Sequence, residues 1–451
     1  MVEFLRQKPH KDGVNSALLI LIALLVAGAV SPVNAQSYGG PSLLSRGGNQ
    51  PGRRGKAPVE FTYFAGAGGR YETGLIAPAL EDGTLVTRDQ YGATADFGIF
   101  GGHDWRRSSI GLDYRGDFRQ NSVATQSNGT NHVVALEYSL RPRRRLVVTL
   151  RETGGTTNRA FGGLAGPAFP DTARLGVPIN ELFDVRTYFS QASAFANYQK
   201  SARLSFGGGM DVFFVKRSGF SLINSQGYTA TGLVSYRVNR RDTVSGQYQH
   251  MVFDFPKVLA SSTVDTFSGR YERHYGRSLT VNVLAGLLRI RSSGTEIVQL
   301  SPEVAEILGR PTGQAFFVRQ SIKPNLDVNV SWLQDRGRLF FNAQNGVGAG
   351  NGVFLTTVRR SAHAGYSYTG IRKVSLGISG GWTKTDSAAL SLPGFRTWQG
   401  GGGFAYKLVD KVNLTGQLDY RSIGGAVTGR SGISASVGMT WSSSRLPLSI
   451  W

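Results

Sequence analysis

Between residues 108 and 120, Ile110, Leu112, Tyr114 and Phe118 alternate with Asp113, Arg115, Asp117 and Arg119. Side chains at every second position of a strand share a face, so the carboxylates and guanidinium groups stand together, opposite an apolar face. Such a face can order water and set an ion preference, or it can fill space with a stiffening ion-pair network. Glu137, Arg151, Asp211, Arg270, Glu272, Asp327, Lys407 and Asp419 fall on the equivalent face of other segments. Covalent chemistry finds fewer residues. No His is followed two residues later by Ser, and Ser127-Asn128 with His132 has the wrong order for a nucleophile and its base. There is no His-Glu-x-x-His motif. The Gly400–Gly403 run lies within a strand pattern rather than before a helix, so it is no phosphate cradle. No catalytic, cofactor or metal site is expected.

The elements that must position these charges emerge from the whole chain. It has 451 residues, 60 Gly and no Cys, and Lys+Arg 50 against Asp+Glu 29 gives a net charge of +21. The length suits two or three soluble domains or one large barrel. Without Cys there are no disulfide staples and no thiolate metal sites. The basic excess raises nucleic acid, a membrane surface or an acidic polymer as partner.

The N-terminus narrows that choice. Arg6, Lys8 and Lys11 precede an apolar run, Ala17 to Val30, that is short for a membrane-spanning helix. Val33 and Ala35 place small residues before a cleavage point, so residues 1–35 read as a secretory signal, with a retained anchor helix as the other reading. A secreted chain does not meet the chromosome, which removes nucleic acid as the partner. Residues 36–58 are rich in Gly, Pro, Ser and Arg and read as a disordered basic periplasmic lead: a solvated tail, or a tether to an anionic polymer such as peptidoglycan.

From Val59 onward the pattern is strand after strand of about ten to fourteen residues, the length a tilted barrel strand needs. The segments are 59–71, 90–104, 108–120, 130–141, 146–155, 185–199, 203–216, 227–238, 243–255, 262–275, 278–291, 315–334, 337–345, 353–368, 373–384, 395–408, 412–421 and 430–441, eighteen in all, with sixteen as the alternative count. Short connections such as Arg141–Arg145 alternate with long ones, Glu72–Asp89, Thr156–Asp184 and Ser292–Gln314. An aromatic residue accompanies nearly every short connection: Trp105, Tyr138, Tyr198, Tyr236, Tyr275, Trp332, Tyr368, Tyr406 and Trp441. Rings at one level of every hairpin suit an interfacial girdle. Basic residues crowd the same turns, among them Arg106, Arg107, Arg143 to Arg145, Arg240 and Arg241. They read as partners of lipid headgroups or as a basic vestibule for anions.

The end of the chain repeats the pattern. Ile433, Ala435, Val437, Met439 and Trp441 alternate with Ser434, Ser436, Gly438 and Thr440, and the chain stops on Trp451. An amphipathic last strand and an aromatic terminus resemble the assembly signal of bacterial outer-membrane β-barrels. Residues 59–451 as a whole resemble bacterial outer-membrane porin-type β-barrel proteins. The resemblance implies an all-β fold: a single transmembrane antiparallel up-and-down barrel in the outer membrane. It implies outer-membrane lipid and the barrel assembly machinery as partners, with Trp451 as the assembly signal.

The expected function is a channel for passive diffusion of small hydrophilic solutes. Asp113, Arg115, Asp117, Arg119, Arg151, Arg270 and Glu272 would line it, with the arginines favouring anions. The alternatives are an export barrel for a polymer such as exopolysaccharide, working with periplasmic partners, and a non-conducting structural barrel. Inward Gly401, Gly403 and Ala405 leave space in the last strands. The long Thr156–Asp184 connection, third among the external ones, has two readings: a loop that narrows the pore, as in general porins, or a surface lid. Ser301, Pro302, Glu303 and Gly309 mark a short helix in another long connection.

Overall fold

A computed structural model describes residues 60–73, 89–122, 128–157, 186–218, 222–276, 278–350, 352–388, 394–425 and 430–443. The expected signal (1–35), the basic lead (36–58), Ser127, nearly all of Thr156–Asp184 and Trp451 lie outside the described residues.

The described residues form eighteen strands. β1 to β6 span Glu60–Thr73, Gln90–Asp104, Ser108–Asn121, Gly129–Arg143, Leu146–Thr157 and Thr187–Gln199. β7 to β12 span Leu204–Arg217, Ser225–Arg237, Asp242–Phe255, Ala260–Tyr275, Leu279–Gln299 and Thr312–Gln334. β13 to β18 span Gly337–Ala349, Thr356–Ile371, Val374–Ser387, Phe395–Val409, Val412–Gly425 and Arg430–Ser442. Each strand pairs antiparallel with the next. β18 then pairs with β1, from Phe64↔Ser442 to Thr73↔Ile433, and closes the sheet into a barrel with no free edge around its girth.

The alternation of side chains is inverted relative to a water-soluble protein. On β15, Leu376 and Ile378 are 41% and 64% exposed, while Ser375 between β14 and β16 is 0% exposed. On most of the wall the apolar side chains face outward and the small or polar ones face the lumen, which is the arrangement that lipid outside and water inside require. The expected girdle residues Tyr138, Tyr198, Tyr236, Tyr275, Trp332, Tyr368, Tyr406 and Trp441 all lie on the outward face near the short turns. Both ends of the strand order, Glu60 and Ser442, lie at this short-turn end, and the long connections lie at the other.

One element departs from the sequence reading. The expected Ser292–Gln314 loop is largely strand: β11 and β12 continue as a paired ribbon to Gln299↔Thr312. Its Thr, Ile, Val and Phe content favours strand once a partner is alongside. A short helix, α1 (Pro302–Leu308), caps the ribbon, with Pro302 in its first turn and Gly309 (φ 63°) ending it; Ser301 occupies the cap position, but its side chain makes no capping hydrogen bond.

The apolar core sits in one sector of the lumen. Met251, Phe253, Phe255, Val264, Leu288 and Ile290 point inward from β9, β10 and β11, and none exceeds 2% exposure. In an open, water-filled barrel they would be wet, so something must cover them.

Candidate functional site

The cover is the hairpin of β13 and β14. Pairing between β12 and β13 stops at Leu326↔Asn345. Two residues further along β12 toward the long-loop end is Pro324, which has no N–H to give a ladder. The Asn345 side chain donates to the Pro324 carbonyl at 2.9 Å in its place. β13 stays paired with β14 to Ala349↔Thr356, but it has left the wall. Val347 and Val358 belong to the outward face of the alternation, yet they are 2% and 5% exposed and join the cluster of Met251, Phe253, Leu288 and Phe317. The hairpin has therefore folded into the lumen and laid its outward face on the inner wall. Burying each such Val, Leu or Phe contributes about 1.5–3 kcal/mol.

Polar contacts fix the tip and the foot. Arg217, at the end of β7, donates through Nη2 to the Gly350 carbonyl at 3.0 Å and through Nη1 to the Ile223 carbonyl. The Ile223 N–H donates to the Gly352 carbonyl at 2.9 Å. Gly352 has φ 90°, and a Cβ there would stand 3.0 Å from Cδ of Arg217. At the foot, the Thr356 hydroxyl donates to Ser262 at 2.6 Å, and Ser262 meets Ser292 at 2.7 Å. In the strand order β13 and β7 are six places apart out of eighteen, so the hairpin runs as a chord across the lumen. Gly346, Gly348, Thr357 and Arg359 lie on its opposite face.

The charged arc lies on β2 to β7. Asp113, Arg115, Asp117 and Arg119 point inward as the alternation predicts. Arg115 donates to both carboxylate oxygens of Asp113, at 3.0 and 3.2 Å, and Arg119 pairs with Asp117 at 2.7 Å. Asn131 donates to Asp117 from the neighbouring strand. Register places Glu137, Arg151, Ser193 and Asp211 in one row across β4 to β7. The two charge signs are interleaved rather than segregated. The arginines expected to favour anions stand beside carboxylates.

A second polar arc crosses β10 to β18. Arg270, Leu284 and Asp327 share one cross-strand row, and Glu272, Asn282, Asn329, Asn342, His363, Gly381, Gln399 and Arg421 share the next. Asn329 donates to Asp327, and Asn342 to Asn329, each at 2.6 Å. The His363 ring lies over Gly381, where a Cβ would collide with it, and its Nδ1 is 3.3 Å from Nε2 of Gln399. Gly401, Gly403 and Ala405 keep the adjoining wall low. Lys407 faces inward but is held at the short-turn end by Asp410 at 2.7 Å.

The seven lining residues expected from the sequence thus fall into two separate groups, five strand places apart or more. Asp113, Arg115, Asp117, Arg119 and Arg151 lie on one arc, with Arg270 and Glu272 on the other. Sequence reading missed the hairpin and its latch, Arg217. Two signals pointed to them: the Gly346, Gly348, Gly350, Gly352 run, and a proline within the preceding strand.

A closed eighteen-strand barrel with an apolar outside, a largely polar inside and a hairpin folded into its lumen has the architecture of a membrane-spanning β-barrel. No family model and no curated protein matches the chain. Solved structures to which it is similar include the outer membrane protein OpdK from Pseudomonas aeruginosa (13% identity, TM-score 0.42, covering 85% of this chain and 99% of that one). A BenF-like porin from Pseudomonas fluorescens is similar at 8% identity and TM-score 0.43, covering 85% and 98%. OccK2 (OpdF) from Pseudomonas aeruginosa, solved in complex with glucuronate, is similar at 10% identity and TM-score 0.41, with the same coverage.

Proposed function

We propose that the chain is a passive diffusion channel for small hydrophilic solutes, whose eyelet lies between the inward hairpin and the charged arc. The observation that carries this reading is the chord from Asn345 to Arg217. It fills the apolar sector of the lumen, and in this reading solutes pass on its other side, along the arc of Asp113, Arg115, Asp117 and Arg119. A wide polymer has little room beside such a chord, which favours small solutes over export of a polysaccharide.

Any anion preference is weak in this reading, because Asp113 and Asp117 offset Arg115 and Arg119. The residual bias comes from Arg319 and Lys323 on the lumen face of β12 at the outer mouth, which raise the local anion concentration.

The test is single-channel conductance of the refolded barrel in a planar bilayer under a salt gradient. Steady conductance with a reversal potential slightly toward anions supports the reading. A folded barrel that never opens would replace it with a structural role.

A further inference from the structure

Two inward rows of β6 to β11 carry no charged side chain. Register sets Phe195, Gly209, Thr231, Gln249 and Thr266 in one row, and Gly207, Gln247 and Ser268 in the next toward the short-turn end. The row on their other side joins Asp211 to Met251, Val264 and Ile290, so the patch adjoins both the charged arc and the apolar core. None of its five polar side chains is more than 9% exposed. Oγ1 of Thr231, Oγ1 of Thr266, Oε1 of Gln249, Nε2 of Gln247 and Oγ of Ser268 have no hydrogen-bond partner among the described residues.

A buried donor or acceptor left unpaired forfeits the hydration it had in the unfolded chain. Met251 and Val264, one row away, show that this wall accepts an apolar lining, so five neighbouring orphans are costly to keep. What they offer is specific. The amides and hydroxyls present donors and acceptors together, and no guanidinium, ammonium or carboxylate stands among them. Beside them Phe195, only partly buried, lies over Gly207, where a Cβ would stand 2.5 Å from its Cζ. With glycine at 207 and 209, β7 puts no side chain next to the ring.

We infer that these rows form a subsite for a neutral sugar, with Phe195 against the C–H face of a ring and Thr231, Gln247, Gln249, Thr266 and Ser268 on its hydroxyls. A sugar hydroxyl both donates and accepts, so it satisfies an amide oxygen and an amide N–H alike. A carboxylate solute would leave water here without meeting a cation, which is unfavourable. From β7 to β10 the patch is about 14 Å wide at the spacing of neighbouring strands, which lets successive rings of an oligosaccharide be held together. The inference deepens the channel reading and rests on it for the route by which the sugar arrives.

The experiment compares the refolded barrel with Gln247→Leu/Gln249→Leu and with Phe195→Leu, each shown to be folded by heat-modifiable gel migration. Leucine is close to glutamine in volume and leaves no orphaned amide, so the double variant should unfold at a higher urea concentration than the parent. Maltose is titrated into single-channel recordings and, separately, into the detergent-solubilised barrel by calorimetry. An oligo(ethylene glycol) of matched mass, whose chain donates no hydrogen bond, is the volume control. Maltose should interrupt the parent current in a saturable way that the glycol does not reproduce. The half-saturating maltose concentration should rise about tenfold in the double variant and a few-fold in Phe195→Leu. Equal half-saturation in all three proteins overturns the inference. So does a parent that responds to maltose as it does to the glycol, which would make the patch a water-holding surface only. A barrel that conducts but ignores maltose in both measurements keeps the channel and loses the subsite. One that binds maltose in the calorimeter but never opens keeps the subsite and loses the channel.

Discussion

Nη2 of Arg217 donates to the carbonyl of Gly350 at 3.0 Å, joining β7 to the tip of a hairpin rooted across the lumen. Arg217 is 2% exposed and also holds the Ile223 carbonyl. The bond is a strut between two walls of the barrel, and its removal is the most direct probe of the channel.

Replacing Arg217 with Gln should free the tip. Losing a charged donor to buried carbonyls costs about 1–3 kcal/mol. The barrel is closed by eighteen antiparallel strand pairings and should stay folded. Single-channel recordings should show a higher mean conductance and rapid open-channel noise. Unchanged recordings would mean that the hairpin does not limit flow.

Gly352 occupies a backbone region that side chains disfavour, at φ 90°. Gly352→Ala should cost about 1–2 kcal/mol and push against Arg217, so its electrical signature should resemble that of Arg217→Gln. The two changes act on one latch, and the double variant should be less damaged than the sum of the singles. Additive effects in urea unfolding would show that the two positions are independent.

The hydroxyls of Thr356 and Ser262 are 2.6 Å apart, and the chain has no Cys of its own. The pair Thr356→Cys and Ser262→Cys should therefore form a single defined disulfide under oxidation. The oxidised channel should conduct at the parent level with less gating noise, and reduction should restore the noise. A disulfide that forms but raises conductance would place the hairpin elsewhere during flow.

Asp113 and Asp117 offset their neighbouring arginines. Asp113→Asn with Asp117→Asn should leave Arg115 and Arg119 uncompensated and move the reversal potential toward anions by a few-fold in permeability ratio. The shift should shrink in high salt, where fixed charge is screened. No shift would mean that this arc lies off the conduction path.

The wall was legible in the sequence because its rule is local. Apolar and polar residues alternate along Val374–Thr383 and Val412–Tyr420, and each strand needs only its neighbours to satisfy it. The turns and their aromatics follow from the same period. The direction of the hairpin was not legible: the glycine run and Pro324 mark a break, but Val347 and Val358 fit the outward pattern and differ only in what they touch. That contact depends on β13 parting from β12 at Pro324 and Asn345, a long-range event with no periodic signature. The charges share the face opposite the apolar one for the same local reason. Their pairing within a strand, Arg115 on Asp113 and Arg119 on Asp117, offsets the charge on which an anion bias was expected.

The parting of β13 from β12 also separates two kinds of inheritance. Beyond Asn345 the hairpin keeps no ladder with the strand before it, so residues added to or lost from its tip shift no register in the wall. A lineage can therefore lengthen, shorten or recharge this one cassette and present a new filter to its surroundings, while the scaffold that must pass through assembly stays the same.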